Sequence, residues 1–242
     1  MFRALLFAVL SVALATPADP AAAEPTMRLL PEQDQPAWSA VGRVNIAGYN
    51  RRRMCSGVLV APARVLTAAH CVLKGRRIAP AEEVVFVAGW RAGASAGDAT
   101  GARITIHPDF LSRIAAGELD IGSDLAVIEL SAPIEGVSPL PLGALPDPAP
   151  IGTALTILGY RADRPHIATL HTGCTLLHDA PNVLLTACDV AQGTSGAPVL
   201  APALSPGLAP GGGAPTVVGI VSARSLRGTL VARAAAWDAA RP

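Results

Sequence analysis

Val65-Leu66-Thr67-Ala68-Ala69-His70-Cys71 and, far downstream, Gly193-Thr194-Ser195-Gly196-Ala197-Pro198 are the two stretches on which the reading of this chain turns. The first is an apolar strand ending in a small-residue turn that presents an imidazole. The second sets a serine between glycines. A hydroxyl is a poor nucleophile near neutral pH, so it needs an imidazole to take its proton and a carboxylate to orient that imidazole. Asp124 is the candidate carboxylate, because it directly precedes the apolar run 125–130 and is therefore anchored to a strand. Asp120, its neighbour in the 117–122 loop, has no such anchor. Glycines at 193 and 196 let the backbone turn sharply, so the amides of Gly193 and Ser195 can point together at a developing oxyanion.

Working outward, short Val/Ile/Leu/Thr runs punctuated by Gly, Pro and Asp begin at Trp38 and predict strands at 41–47, 56–60, 64–67, 84–88, 102–107 and 125–130. A second set follows at 153–160, 168–177, 183–187, 197–200, 216–222 and 228–234. Between the sets, a proline-rich break from Ala132 to Pro150 cannot continue a central strand. The expected fold is all-β: two six-stranded antiparallel barrels, 38–135 and 151–242, joined by a linker at 136–150, with the site in the cleft between them. Aromatics are only 4% of the 242 residues, so the core must be built from Val, Leu and Ile. Residues 202–215, with three consecutive glycines, read as a surface loop, and 234–240 as a short terminal helix.

The N-terminus reads as an export signal. Arg3 precedes an almost wholly apolar run at 4–15, and Ala13-Leu14-Ala15 fits a cleavage site, although Ala21-Ala22-Ala23 fits as well. Residues 16–37 are rich in Pro, Ala and acidic side chains and are expected to be a disordered N-terminus or a short pro-segment. A secreted or periplasmic location follows, with no membrane association after signal removal. Four cysteines in an exported chain imply two disulfides, for which three pairings exist; local pairing of Cys55 with Cys71 and Cys174 with Cys188 is the economical one. Neither C-x-x-C nor H-E-x-x-H occurs, which speaks against a metal site. A formal net charge of +1 leaves no electrostatic footprint for nucleic acid, and Arg51-Arg52-Arg53 reads as a solvated loop tip.

The segments 65–71, 123–130 and 188–198, taken together, resemble the trypsin/chymotrypsin superfamily in its order His, Asp, Ser. Phe86-Val87-Ala88-Gly89-Trp90 and Ser195-Gly196-Ala197-Pro198-Val199 are similar to the bacterial exported trypsin-like and V8-like members. The resemblance implies a serine endopeptidase with His70, Asp124 and Ser195 catalytic, no cofactor, a polypeptide substrate and a monomeric state. It also supports the Cys55–Cys71 pair, because 55–60 resembles the family strand that donates a cysteine to the one after the catalytic histidine. Thr194 stands where zymogen-type members carry an aspartate, so no ammonium-triggered activation is expected.

Asp189, six residues before Ser195, occupies the place of the carboxylate that selects Arg or Lys at P1, and Ser222 lies on the strand along which substrate pairs. Arg224 departs from the family pattern, and its cation narrows the pocket mouth, neutralises Asp189 or favours an acidic P1. The expectation is a basic P1, with small or apolar and then acidic side chains as alternatives. The rival from another class is a catalytically silent barrel used for binding or regulation. An α/β-hydrolase is disfavoured by the chain order His70, Asp124, Ser195.

Overall fold

A computed structural model describes residues 24–46, 54–118, 120–202 and 215–239. The stretch read as an export signal, Arg51-Arg52-Arg53 and most of the glycine-rich loop lie outside these residues. The described chain opens with β1 (Thr26–Leu29) and a 3-10 turn at Glu32–Trp38. The first half then runs through β2 (Val41–Ile46), β3 (Met54–Ala61), β4 (Arg64–Thr67), a small hairpin of β5 (Leu73–Lys74) and β6 (Arg77–Ile78), β7 (Val84–Ala88), β8 (Gly97–Ile106), α1 (Pro108–Ala116) and β9 (Ala126–Leu130). The second half holds β10 (Ala154–Arg161), β11 (Arg164–Ala180), β12 (Val183–Thr186), β13 (Pro198–Ala201), β14 (Thr216–Ser225), β15 (Gly228–Arg233) and α2 (Ala234–Ala239).

The first six-stranded sheet closes on itself in the order β2-β3-β4-β9-β8-β7, all antiparallel. Closure leaves no free edge, and the inward β-branched and aliphatic side chains meet at the barrel centre. Leu59, Val65, Phe86 and Ile128 are all fully buried there. The second barrel runs β11-β10-β13-β14-β15-β12 and closes because β11 is long enough to pair twice. Its first part pairs with β10 and, after a register shift at Leu176/His178, its last part pairs with β12. Leu155, Ile157, Leu184, Val199, Val221 and Val231 fill this barrel beside the disulfide Cys174–Cys188.

Two elements depart from the sequence expectation. Part of the stretch expected to be disordered up to residue 37 instead forms β1, which adds antiparallel to β11 through Met27 opposite His171, and delivers Leu30 into the core at 1% exposure. The segment is satisfied by a neighbouring strand edge, not by its own apolar period, so its composition hides it. The helix α1 was not anticipated either. Pro108 sits in its first turn, the His107 ring accepts from the Asp109 amide, and Gly117 ends it in the left-handed region at φ +83°. The proline-rich stretch carries no strand and is hydrogen-bonded to both barrels, Leu140 to Leu59 and Gly143 to Val217.

Candidate active site

The end of β4 turns at Ala68 into a single 3-10 turn, Ala69–Val72, that carries His70 out of the first barrel. Cys71 is bonded to Cys55 on β3, which pins this turn to the adjacent strand. Asp124, just before β9, is fully buried and holds His70 twice. The His70 amide donates to Oδ1 at 2.9 Å, and Nδ1 lies 2.7 Å from Oδ2. The carboxylate therefore fixes the ring orientation and the tautomer with the proton on Nδ1, leaving Nε2 as the basic nitrogen. Burial acts to lower the His70 pKa, but the hydrogen bond and charge of Asp124 outweigh it, so it lies above the usual histidine value. The competing Asp120 is occupied locally, accepting from the Gly122 amide and the Ser123 hydroxyl.

Ser195 sits half-buried on a tight loop before β13. Ser56 on β3 receives this loop: its amide donates to the Ser195 carbonyl at 2.8 Å and its hydroxyl to the Gly193 carbonyl at 3.0 Å. The Ser56 hydroxyl also accepts from the Tyr160 amide, and its carbonyl accepts from Thr67, three residues before His70. Ser56 is thus the junction that brings the loop of one barrel against the turn of the other. Sequence reasoning missed it, since a strand serine carries no local mark of such a role.

Gly196 follows at φ +81°, and a Cβ there would lie 2.1 Å from the Ser56 carbonyl oxygen, so only glycine allows this approach. Gly193 is also left-handed at φ +95°. Among the described residues, neither the Gly193 nor the Ser195 amide donates to a backbone carbonyl, which leaves both for an acceptor in the cleft. No hydrogen bond joins the Ser195 hydroxyl to His70 among the described residues, a contact that in resting enzymes is often long and tightens with substrate. The sulfurs of Cys55 and Cys71 approach His70 at ligand-like spacing, but a disulfide offers no thiolate to a metal.

Ser222 donates to Asp124 Oδ2 at 2.5 Å and is 4% exposed. It belongs to the support of the carboxylate as well as to the β14 strand. Asp189 does not sit as the buried anion of the sequence expectation. Its side chain is 71% exposed and its Oδ1 lies 3.1 Å from Arg224 Nε. The short β14–β15 turn, 225–228, places Arg224 beside the loop that carries Asp189, so the cation meets the carboxylate at the surface.

A sequence model of the Trypsin-like peptidase domain matches residues 55–203, more than half of the chain and a span that includes His70, Asp124 and Ser195. The chain belongs to this family. The trypsin-like peptidase domain is 34% identical over 131 residues to "Serine protease 56" of Homo sapiens, an alignment covering 52% of this chain and 20% of that protein. It therefore spans about a fifth of that curated relative's length. Its fold matches a solved structure of Glu endopeptidase in complex with MPD with a TM-score of 0.68, covering 88% of this chain and 93% of the other at 18% identity. That likeness establishes the chymotrypsin-like double barrel of this trypsin-like peptidase domain.

Proposed function

We propose that the chain is an exported serine endopeptidase acting through an acyl-enzyme. The observation that carries this reading is the fully buried Asp124 gripping both the amide and the Nδ1 of His70. Ser195 attacks the scissile carbonyl carbon as its hydroxyl proton passes to His70 Nε2. The tetrahedral oxyanion is received by the Gly193 and Ser195 amides. The C–N bond then breaks as His70 returns the proton to the leaving amine, and water, deprotonated by the same imidazole, hydrolyses the ester. Asp124 stays ionised throughout and stabilises the imidazolium. The substrate is a polypeptide and the enzyme acts as a monomer, without a cofactor. Two disulfides suit an oxidising compartment. Among the described residues no helix is long and apolar enough to cross a membrane.

The P1 preference turns on Asp189. Selection of Arg or Lys needs an uncompensated carboxylate, whereas here the carboxylate is exposed and neutralised by Arg224. This arrangement favours small or apolar P1 side chains over basic ones. The test is a mass-spectrometric cleavage profile of a diverse peptide library by the mature protein, with Ser195→Ala alongside and fluorophosphonate labelling of both. Labelling and cleavage by the native protein alone support the assignment. An unlabelled, inactive native protein under oxidising conditions sinks it in favour of a silent binding module.

A further inference from the structure

Behind the oxyanion loop, where the barrels meet, β2 carries a buried cation with no counter-charge beside it among the described residues. Arg43 is 8% exposed, and Asn45, two residues along the same strand, is 1% exposed. The guanidinium donates to the Pro165 carbonyl and to Asn45 Oδ1, both at 3.3 Å, the long end for such bonds. Its carbon lies 5.6 Å from the ring centre of Trp90. Three buried donors in this group, Arg43 Nε, Asn45 Nδ2 and Trp90 Nε1, have no acceptor among the described residues. No carboxylate there pairs with Arg43, and burial draws its pKa below the usual arginine value. The acidic side chains outside the description are those of Asp19 and Asp238 alone.

Buried charges in proteins are paired, and buried donors are satisfied. The face of Trp90 offsets part of the uncompensated charge. Water would accept the donors' hydrogens but would leave the charge standing. A single cation in contact with the Asn45 amide and the Trp90 ring, each of which carries a buried N–H with no acceptor among the described residues, suits a small monovalent anion. We propose that Arg43, Asn45 and Trp90 bind a halide at the barrel junction. The site has a route to the oxyanion loop. Arg43 holds the carbonyl of Pro165 just after the start of β11, and Tyr160 donates its hydroxyl to the Trp90 carbonyl. The backbone around Tyr160 then closes on Gly193, where a Cβ would meet the Ala162 nitrogen at 2.7 Å and the Tyr160 oxygen at 3.0 Å. A bound anion ties β2 to the hairpin backing that loop.

The test uses the full mature chain as Ser195→Ala, so that autolysis is absent and the result does not depend on the peptidase reading. Thermal unfolding is followed at constant ionic strength while sodium gluconate is exchanged for sodium chloride or bromide. The expected result is a saturable gain in Tm, roughly 3–5 °C for each tenfold of halide above its Kd. Arg43→Met abolishes that gain. Asn45→Asp supplies an internal carboxylate to the guanidinium, raising Tm in gluconate and erasing the halide response. Crystals grown in bromide show an anomalous peak at Arg43 Nε. Equal Tm in halide and gluconate overturns the proposal, as does an unchanged halide response in Arg43→Met. If Arg43→Met does not fold, a full halide response retained in Asn45→Asp overturns it equally.

Discussion

Ser222 donates its hydroxyl to the buried Asp124 carboxylate at 2.5 Å, across the boundary between the barrels. The oxygen that accepts it is the one that faces His70 Nδ1. One residue earlier, the Val221 carbonyl accepts from the Gly196 amide, so β14 holds both the Asp124 carboxylate and the loop that carries Ser195. Imidazole orientation is therefore a property of both barrels. Loss of a hydrogen bond to a buried charged group costs about 1.5–3 kcal/mol. Ser222→Ala is expected to lower kcat about 10- to 100-fold with a smaller change in KM, read by steady-state kinetics on a cleavable peptide. Asp124→Asn, which leaves the wrong tautomer, is expected to cost about 10⁴-fold.

In the proposed mechanism His70 sets the acid limb of activity. Its pKa is raised, because the hydrogen bond and charge of Asp124 outweigh the opposing effect of burial. The base must be neutral to act, so the acid limb of kcat/KM is expected above the ordinary histidine value of about 6.5. For stability the sign is separate. A raised folded pKa contributes stability that is fully present below the unfolded value and lost as pH rises through the folded one. The pH profile of kcat/KM, compared with NMR titration of His70 in Ser195→Ala, checks both. A limb well below 6.5 would show that Asp124 does not govern this imidazole.

His171 acts in the opposite sense. It is 2% exposed on β11, with Nε2 unpartnered, and burial first and Arg161 second push its pKa down to about 4, against a smaller opposing pull from Asp189. The folded protein keeps it neutral while the unfolded chain takes up a proton below about 6.5. Stability present above that pH is lost as pH falls toward 4, by about 3 kcal/mol over the interval. Urea unfolding of the native protein and His171→Gln at several pH values isolates this share, since other groups titrate alike in both. A difference between the two that does not change with pH would exclude it.

The sequence made the barrels legible because closure leaves each strand one buried face and clear turn residues at its ends. The 84–88 and 64–67 strands match the observed limits, and the others begin or end a few residues away from the expected bounds. His70, Asp124 and Ser195 stood out in the sequence as candidates because each sits at the end of such a strand or in a glycine-framed turn. Ser56 and the Ser222–Asp124 bond were not, because they join residues 137 and 98 positions apart through a cleft that exists only after both barrels close. β1 was hidden for the same reason: its four residues are exposed, and only the edge of β11 gives their backbone a partner. Asp189 illustrates the converse. Its spacing from Ser195 suggested a pocket base, but exposure depends on the loops around it, which spacing does not encode.

Arg224 is expected to control P1 choice by occupying Asp189. The pair is exposed on both sides, 63% and 71%, so it is worth little as stability and Arg224→Ala should fold normally. Its effect on recognition is expected to be larger, because removing the cation releases the Asp189 carboxylate for a basic P1 side chain. The cleavage profile of Arg224→Ala is expected to gain Arg and Lys at P1 by about tenfold relative to small side chains, the scale of one unit of discrimination at about 1.4 kcal/mol. Asp189→Ala in the same background should remove that gain. An unchanged profile in Arg224→Ala would mean that Asp189 lies outside the P1 pocket altogether, and the determinants of P1 would then be sought on β14 and in the loop before Gly193.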